Sequence, residues 1–152
     1  MAAEPPLEDF ETLFLEGFAQ LLVSADAATW KPSGAYAPSE TAVVLGGLPQ
    51  NPDRVIALAA YGVADSPDLS DSTIGLQVTT RWGGQDPRDV GKSTTRVFNA
   101  FHGLTNTDLP TGIRVVQCLR RSWTSIGQDS NNRWRTVQNF YADVYRPTPN
   151  RT

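Results

Sequence analysis

A chain of 152 residues, 39% of them hydrophobic, can bury one core and is too short for two, while Gly 12 and Pro 11 allow generous loops without implying disorder. A net charge of −3 and a pI near 5.0 leave the whole molecule no long-range attraction for a phosphate backbone, so a DNA-gripping role starts at a disadvantage. The single Cys118 excludes an internal disulfide, and no apolar run approaches membrane-spanning length, so a soluble, unexported chain is expected.

Residues 1–6, with Pro5 and Pro6, read as a flexible lead-in. Phe10, Leu13, Phe14, Phe18, Leu21 and Leu22 then recur on one helical face and predict a helix from about Leu7 to about Ala25. Glu8, Asp9 and Glu11 stand favourably at its positive end. Asp26 to Thr41 is rich in Pro, Ser, Gly and Ala, interrupted by Trp30 and Tyr36, and reads as a long loop or an arm of the kind that reaches a neighbour. Ala42–Leu45 and Arg54–Tyr61 have strand character, separated by Gly46, Gly47, Pro49, Asn51 and Pro52.

A turn at Asp65–Asp71 leads to the clearest strand, in which Ile74, Leu76, Val78, Thr80 and Trp82 share one face and Thr73, Gln77, Thr79 and Arg81 the other. Asp86 followed by Pro87 is an N-cap with proline at the first helical position, and Val90, Val97, Phe98 and Phe101 give the second helix its apolar face before Gly103 closes it. Ile113–Leu119 and Trp134–Tyr145 complete the strands, and residues 146–152 read as a flexible end. The expected fold is a single α+β domain over residues 7–145. It has a mixed, mainly antiparallel sheet of about five strands with two helices on one face, because hairpin-length links join the first two strands and the last two.

Gly91, Lys92, Ser93 and Thr94 spell the end of a phosphate-binding loop, but Asp86 occupies the position of the first glycine, and Pro87 starts the helix early enough to place the string in mid-helix. His102 and Cys118 are the only histidine and cysteine; the first suits a helix carboxyl end and the second a strand core, and zinc lacks four N or S ligands. Asp65, Asp68 and Asp71, flanked by Ser66, Pro67 and Ser70, fit turn chemistry better than a calcium loop. No nucleophile elbow or dinucleotide fingerprint follows a strand, so no enzyme, cofactor or metal is expected.

Surfaces are more informative. Residues 1–40 hold seven acids against Lys31 alone, a net of −6, whereas residues from 112 onward hold seven arginines against Asp129 and Asp143, a net of +5. Either these charges mix on an ordinary surface, which is the default, or opposite faces meet head to tail between identical copies. The Trp134–Tyr145 strand carries apolar side chains on both faces, with Trp134, Phe140, Ala142 and Val144 on one and Val137, Tyr141 and Tyr145 on the other. Helices can cover only one of them. Candidate interface residues are therefore Trp30, Tyr36, Arg81, Trp82, Arg120, Arg121, Trp123, Arg133, Trp134, Tyr141 and Tyr145, since interfaces favour aromatics and arginine. A stacking platform for single-stranded nucleic acid, built from the same C-terminal aromatics and arginines, is the competing reading, weakened by the net acidity.

One family shares these residues in order. VVLGGLPQNPDRVIALAAYG, running from Val43 through Tyr61 into Gly62 and followed by Asp65, Ser66 and Pro67, resembles the tail terminator or minor capsid proteins of long-tailed, siphovirus-type bacteriophages. So do IGLQVTTRWGGQDP from Ile74 to Pro87, VVQCLRRS, and then Gly127, Gln128, Asp129, Arg133, Asn139, Phe140 and Tyr141. The resemblance spans nearly the whole chain and implies a non-catalytic virion protein at the phage neck. Its implied partners are itself in a ring, as a homohexamer, the tail tube protein and the head-tail connector, with DNA passing through the lumen without sequence-specific binding and no membrane involved. A head-completion or connector subunit would share these properties.

Overall fold

A computed structural model of the chain describes residues 9–152. Among them lie α1 (Phe10–Ser24), β1 (Thr29–Trp30), β2 (Ala42–Leu45), β3 (Val55–Asp65), β4 (Asp71–Trp82), α2 (Pro87–Phe101), β5 (Leu104–Asp108), β6 (Arg114–Gln128) and β7 (Trp134–Tyr145). The strands form one mixed sheet in the order β1-β2-β3-β4-β7-β6-β5. The α+β class agrees with the sequence reading, but seven strands replace the expected five.

The helices form where their signals stand. Asp86 accepts the Arg88 N–H at 2.9 Å and Pro87 occupies the first helical position, so α2 begins with an orphan donor satisfied and no N–H wasted. Helix α1 begins at Phe10; the predicted start at Leu7 lies outside the described residues. Its apolar stripe becomes a ring ladder: Phe10, Phe14, Phe18, Phe101 and Phe140 follow one another with centroids 4.9–6.4 Å apart, running from α1 through α2 into the sheet. All five are buried, each contributing on the order of 2–3 kcal/mol by leaving water.

Period-two alternation sorts the sheet faces. Ile74, Leu76 and Val78 of β4, with Phe140, Ala142 and Val144 of β7, point under the helices into the core. The core turns polar towards the start of α2, where Thr94 is 2.7 Å from Thr136 Oγ1 and also donates to the Val90 carbonyl. The phosphate-loop-like string thus lies inside α2, with Ser93 and Thr94 buried against the sheet.

Three sequence expectations meet a different outcome. The link from β2 to β3, taken for a hairpin, joins parallel strands, with Ala42 opposite Val55 and Leu45 opposite Leu58. Because β2 has only four residues, the return path is about 13 Å, short enough for residues 46–54 to cover without a helix. The Asp26–Thr41 stretch does not reach away: β1 pairs with β2, and the Tyr36 hydroxyl accepts the Lys31 N–H and donates to the Val43 carbonyl, both at 2.8 Å. Residues 146–152, read as a flexible end, lie back on the β3–β4 turn. The Thr152 carbonyl accepts the Ser70 N–H at 2.6 Å, and Arg151 donates to the Ser66 and Asp71 carbonyls at 3.0 Å.

Strand β6 is also twice the length its hydrophobic run suggested. It interrupts its pairing with β7 three times, skipping Val116, Arg121 and Ile126 in the register. These bulges shift the alternation, which is why the apolar pattern fades after Leu119 although the strand continues.

Candidate subunit interface

The eleven residues singled out from the sequence separate into three groups. Arg81 and Arg133 are inside the protein, at 3% and 7% exposure, and are not available to a partner. Arg81 donates from Nη2 to the Pro52 carbonyl at 2.7 Å and to that of Gln50 at 3.4 Å, and from Nε to that of Asp53 at 3.1 Å. Arg133 donates to the Gln50 carbonyl at 2.7 Å and to Asp129 Oδ2 at 2.8 Å. Together they hold the 46–54 link on its return path, which is why this link needs no regular structure of its own.

Burial, reinforced by the neighbouring Arg133, lowers the Arg81 guanidinium from its ordinary value. Partial burial tends to raise the Asp129 carboxyl. The Arg133 and Asn131 backbone N–H groups and the Arg133 guanidinium outweigh it and hold that carboxyl below the usual range.

A second group is half-buried and engaged within the subunit. Trp30 packs against the core, Tyr36 ties its loop to β2 as above, and Trp82 sits beside Trp134 across β4 and β7 with the Arg54 guanidinium 5.3 Å from its ring. Trp30 and Tyr36 are thus intramolecular anchors in this structure, not a projecting arm.

The third group lies on β6 and β7. Arg120 has its guanidinium 4.2 Å from the Phe98 ring and 5.6 Å from that of Trp123, and it donates to Gln138 Oε1 at 3.2 Å. Its backbone N–H donates to His102 Nδ1 at 2.9 Å, and His102 in turn stacks on Phe98. Arg121 lies over Tyr141 on the face without helices. There Tyr61 of β3 lies flat across Gly75 of β4, so close that a β-carbon at Gly75 would sit 2.2 Å from the ring, and donates to Asn139 Oδ1 at 3.0 Å. Burial, with Tyr141 nearby, raises the Tyr61 hydroxyl.

This face and the β6 edge carry most of the exposed apolar side chains. Trp123 is 55% exposed, Tyr145 46%, Ile126 43% and Val116 42%, with Tyr61 and Val63 close behind. Sequence inspection missed Tyr61, Val63, Val116 and Ile126. Two of them are bulge residues whose outward aim no period-two pattern shows.

Elsewhere the surface holds little chemistry. A shallow depression of about 450 Å³ is lined by Asp65, Asp71 and Asp143, but Asp65 accepts Ser72 Oγ and Asp143 accepts Thr73 Oγ1, ordinary side-chain pairs. The Cys118 thiol is buried in β6 and pushed up to about 12, chiefly by burial and then by Asp143, while His102 is exposed on the other side of that strand's edge. No group of three or more metal-ligating residues occurs, and no helix is long and apolar enough to cross a membrane, among the described residues.

A two-layer subunit whose sheet is covered on one face only, and whose polar groups are spent on holding loops, has the build of a structural component of an assembly. The chain belongs to the bacteriophage tail terminator protein family, which it matches over residues 21–146, and its place is accordingly in the phage particle. In fold it is similar to a chain in the virion of a native gene transfer agent particle, with a TM-score of 0.60 at 16% identity, covering 91% of this chain and 98% of that one. No curated relative matches the sequence.

Proposed function

We propose that this protein is the tail terminator of a long-tailed phage, a ring-forming subunit that caps the finished tail tube and joins it to the head connector. The observation that carries this reading is the one-sided sheet: Tyr61, Val137, Tyr141 and Tyr145 lie on a helix-free face that a monomer leaves open. Membership of the tail terminator family supports this reading, and the net acidity of −3 suits a lumen that must let DNA slide, since cation clusters would hold the duplex by its phosphates. A nucleic-acid-binding role is disfavoured because Arg133, one of its C-terminal cations, is buried against the Gln50 carbonyl and the Asp129 carboxylate.

Electron microscopy of the purified protein, alone and mixed with tail tubes, tests the proposal. Rings seated on one end of the tube are expected; a protein that stays monomeric and never decorates the tube would defeat it. Reversing the charges at Arg120 and Arg121 is expected to weaken ring assembly, seen by sedimentation velocity as a shift towards the monomer.

A further inference from the structure

We infer that residues 146–152 are a releasable strap, which opens as one unit and in opening uncovers both the β3–β4 turn and the start of α1. The segment leaves β7 after Tyr145 and turns back on itself. Its two ends meet on buried Ser70: the Arg146 N–H donates to the Ser70 carbonyl at 2.8 Å, and the Ser70 N–H donates to the Thr152 carbonyl at 2.6 Å. The Thr152 N–H donates to the Asp68 carbonyl at 3.0 Å. Arg151 is the clasp, because one guanidinium donates to the Ser66 and Asp71 carbonyls, to Ser72 Oγ at 3.3 Å and to the Arg146 carbonyl. The last of these joins the far end of the strap to its near end. Arg146 supplies a second fastening, with its guanidinium 4.4 Å from the Phe10 ring and 3.1 Å from Glu11 Oε1. Ends that share one serine and one arginine cannot let go singly, which makes the opening cooperative.

Three features make the closed strap releasable. None of residues 146–152 is buried, so hydrogen bonds and one exposed ion pair carry the attachment, each worth little once exchange with water is counted. Pro147 and Pro149 have no N–H to add. The closed form also strands two buried donors, since Arg151 Nε and Ser70 Oγ have no partner among the described residues. Opening returns both to water and so offsets part of the bonds given up. Between strap and turn lies a depression of about 420 Å³, lined by Asp65, Ser66, Pro67, Arg146, Thr148 and Arg151, so the two surfaces are not close-packed. A neighbour that competes for Glu11 at one end, or for the turn carbonyls at the other, therefore loosens both places. The strap acts within one subunit, so it stands or falls apart from the ring.

Amide hydrogen exchange, followed residue by residue by NMR on the full chain, tests the strap. The Ser70, Arg146 and Thr152 amides are expected to share one protection factor, on the order of tenfold or more below those of Leu76 and Val78 in β4. Arg151→Met, which keeps the length of the side chain but removes the clasp, is expected to lower that shared protection about tenfold. Arg151→Lys, with the charge kept and the fork lost, is expected to fall in between, so the outcome does not hang on one variant. Arg146→Met is expected to lower protection about fivefold, at Thr152 as well as beside α1. Arg121→Met, on the helix-free face, leaves all three amides unchanged; circular dichroism checks that each variant folds. Strap amides as well protected as those of β4 would mark a fixed part of the sheet and overturn the inference. So would turn protection that survives both Arg151 variants, or an Arg146→Met effect confined to α1, which would leave two separate fastenings in place of one unit.

Discussion

At the residue scale, side chains that looked chemical from the sequence turn out to be structural. Cys118 lies fully inside the core cluster, and its thiol, pushed up to about 12 by burial, is almost entirely protonated at neutral pH. Native protein is therefore expected to resist a thiol-specific reagent at pH 8, with one equivalent reacting after denaturation. Rapid labelling of the folded protein would contradict the placement.

Asp86 offers the complementary case. Its carboxyl is lowered from 3.8 to about 2, first by the side-chain hydrogen bond from Arg88 and then by the backbone N–H of the same residue. A depressed folded value means that its contribution is complete above roughly pH 4 and disappears as the pH falls through about 2. Asp86→Ala is expected to lower Tm by about 3 °C at pH 7 through loss of the helix cap, and the difference should vanish near pH 2 in thermal melts followed by circular dichroism.

At the scale of elements, the decisive feature is the link from β2 to β3. Hairpin-length spacing and a cluster of Gly, Pro and Asn suggested a tight antiparallel turn, yet the strands run parallel. What makes this workable is distant in sequence: Arg81 on β4 and Arg133 before β7 capture the carbonyls of Gln50, Pro52 and Asp53. Arg81→Met keeps the length of the side chain but leaves buried carbonyls without a donor, and is expected to cost about 3 kcal/mol in urea denaturation. A loss below about 0.5 kcal/mol, the size of an ordinary surface substitution, would show that the link holds itself. The two helices were legible because their signals are local: an N-cap, a proline and an apolar period of 3.6. Strands β1 and β5 were not, since short polar strands such as Thr29–Trp30 and Leu104–Asp108 exist only by virtue of the strand beside them.

At the scale of the whole molecule, the charge asymmetry of the sequence resolves into two parts. Some of it closes within the subunit: Arg146 reaches Glu11 at 3.1 Å and stacks on Phe10, joining the C-terminal segment to α1. The remainder, Arg120 and Arg121 on β6 and Glu16 on α1 among it, forms no ion pair among the described residues, and the proposed joint between copies would draw on such charges. An interface resting on such pairs should weaken with salt, so raising ionic strength from roughly 0.1 M to roughly 1 M, where screening shortens from about 10 Å to about 3 Å, is expected to shift sedimentation towards smaller species. Association that strengthens with salt would instead assign the joint to the apolar residues alone.

The amino-acid sequence by itself determined what depends on neighbours along the chain: the α+β class, both helices and the Asp86 cap of α2, the inward faces of β4 and β7, and, through ordered resemblance, the phage tail terminator family. Only the tertiary structure decided which arginines are surface and which are scaffold, where Trp30 and Tyr36 rest, and that β6 continues through three bulges with half its edge open. The physical reason is the same in each case. A buried guanidinium, a parallel pairing or a bulge is stabilised by groups far away in sequence, and no local periodicity carries their signature.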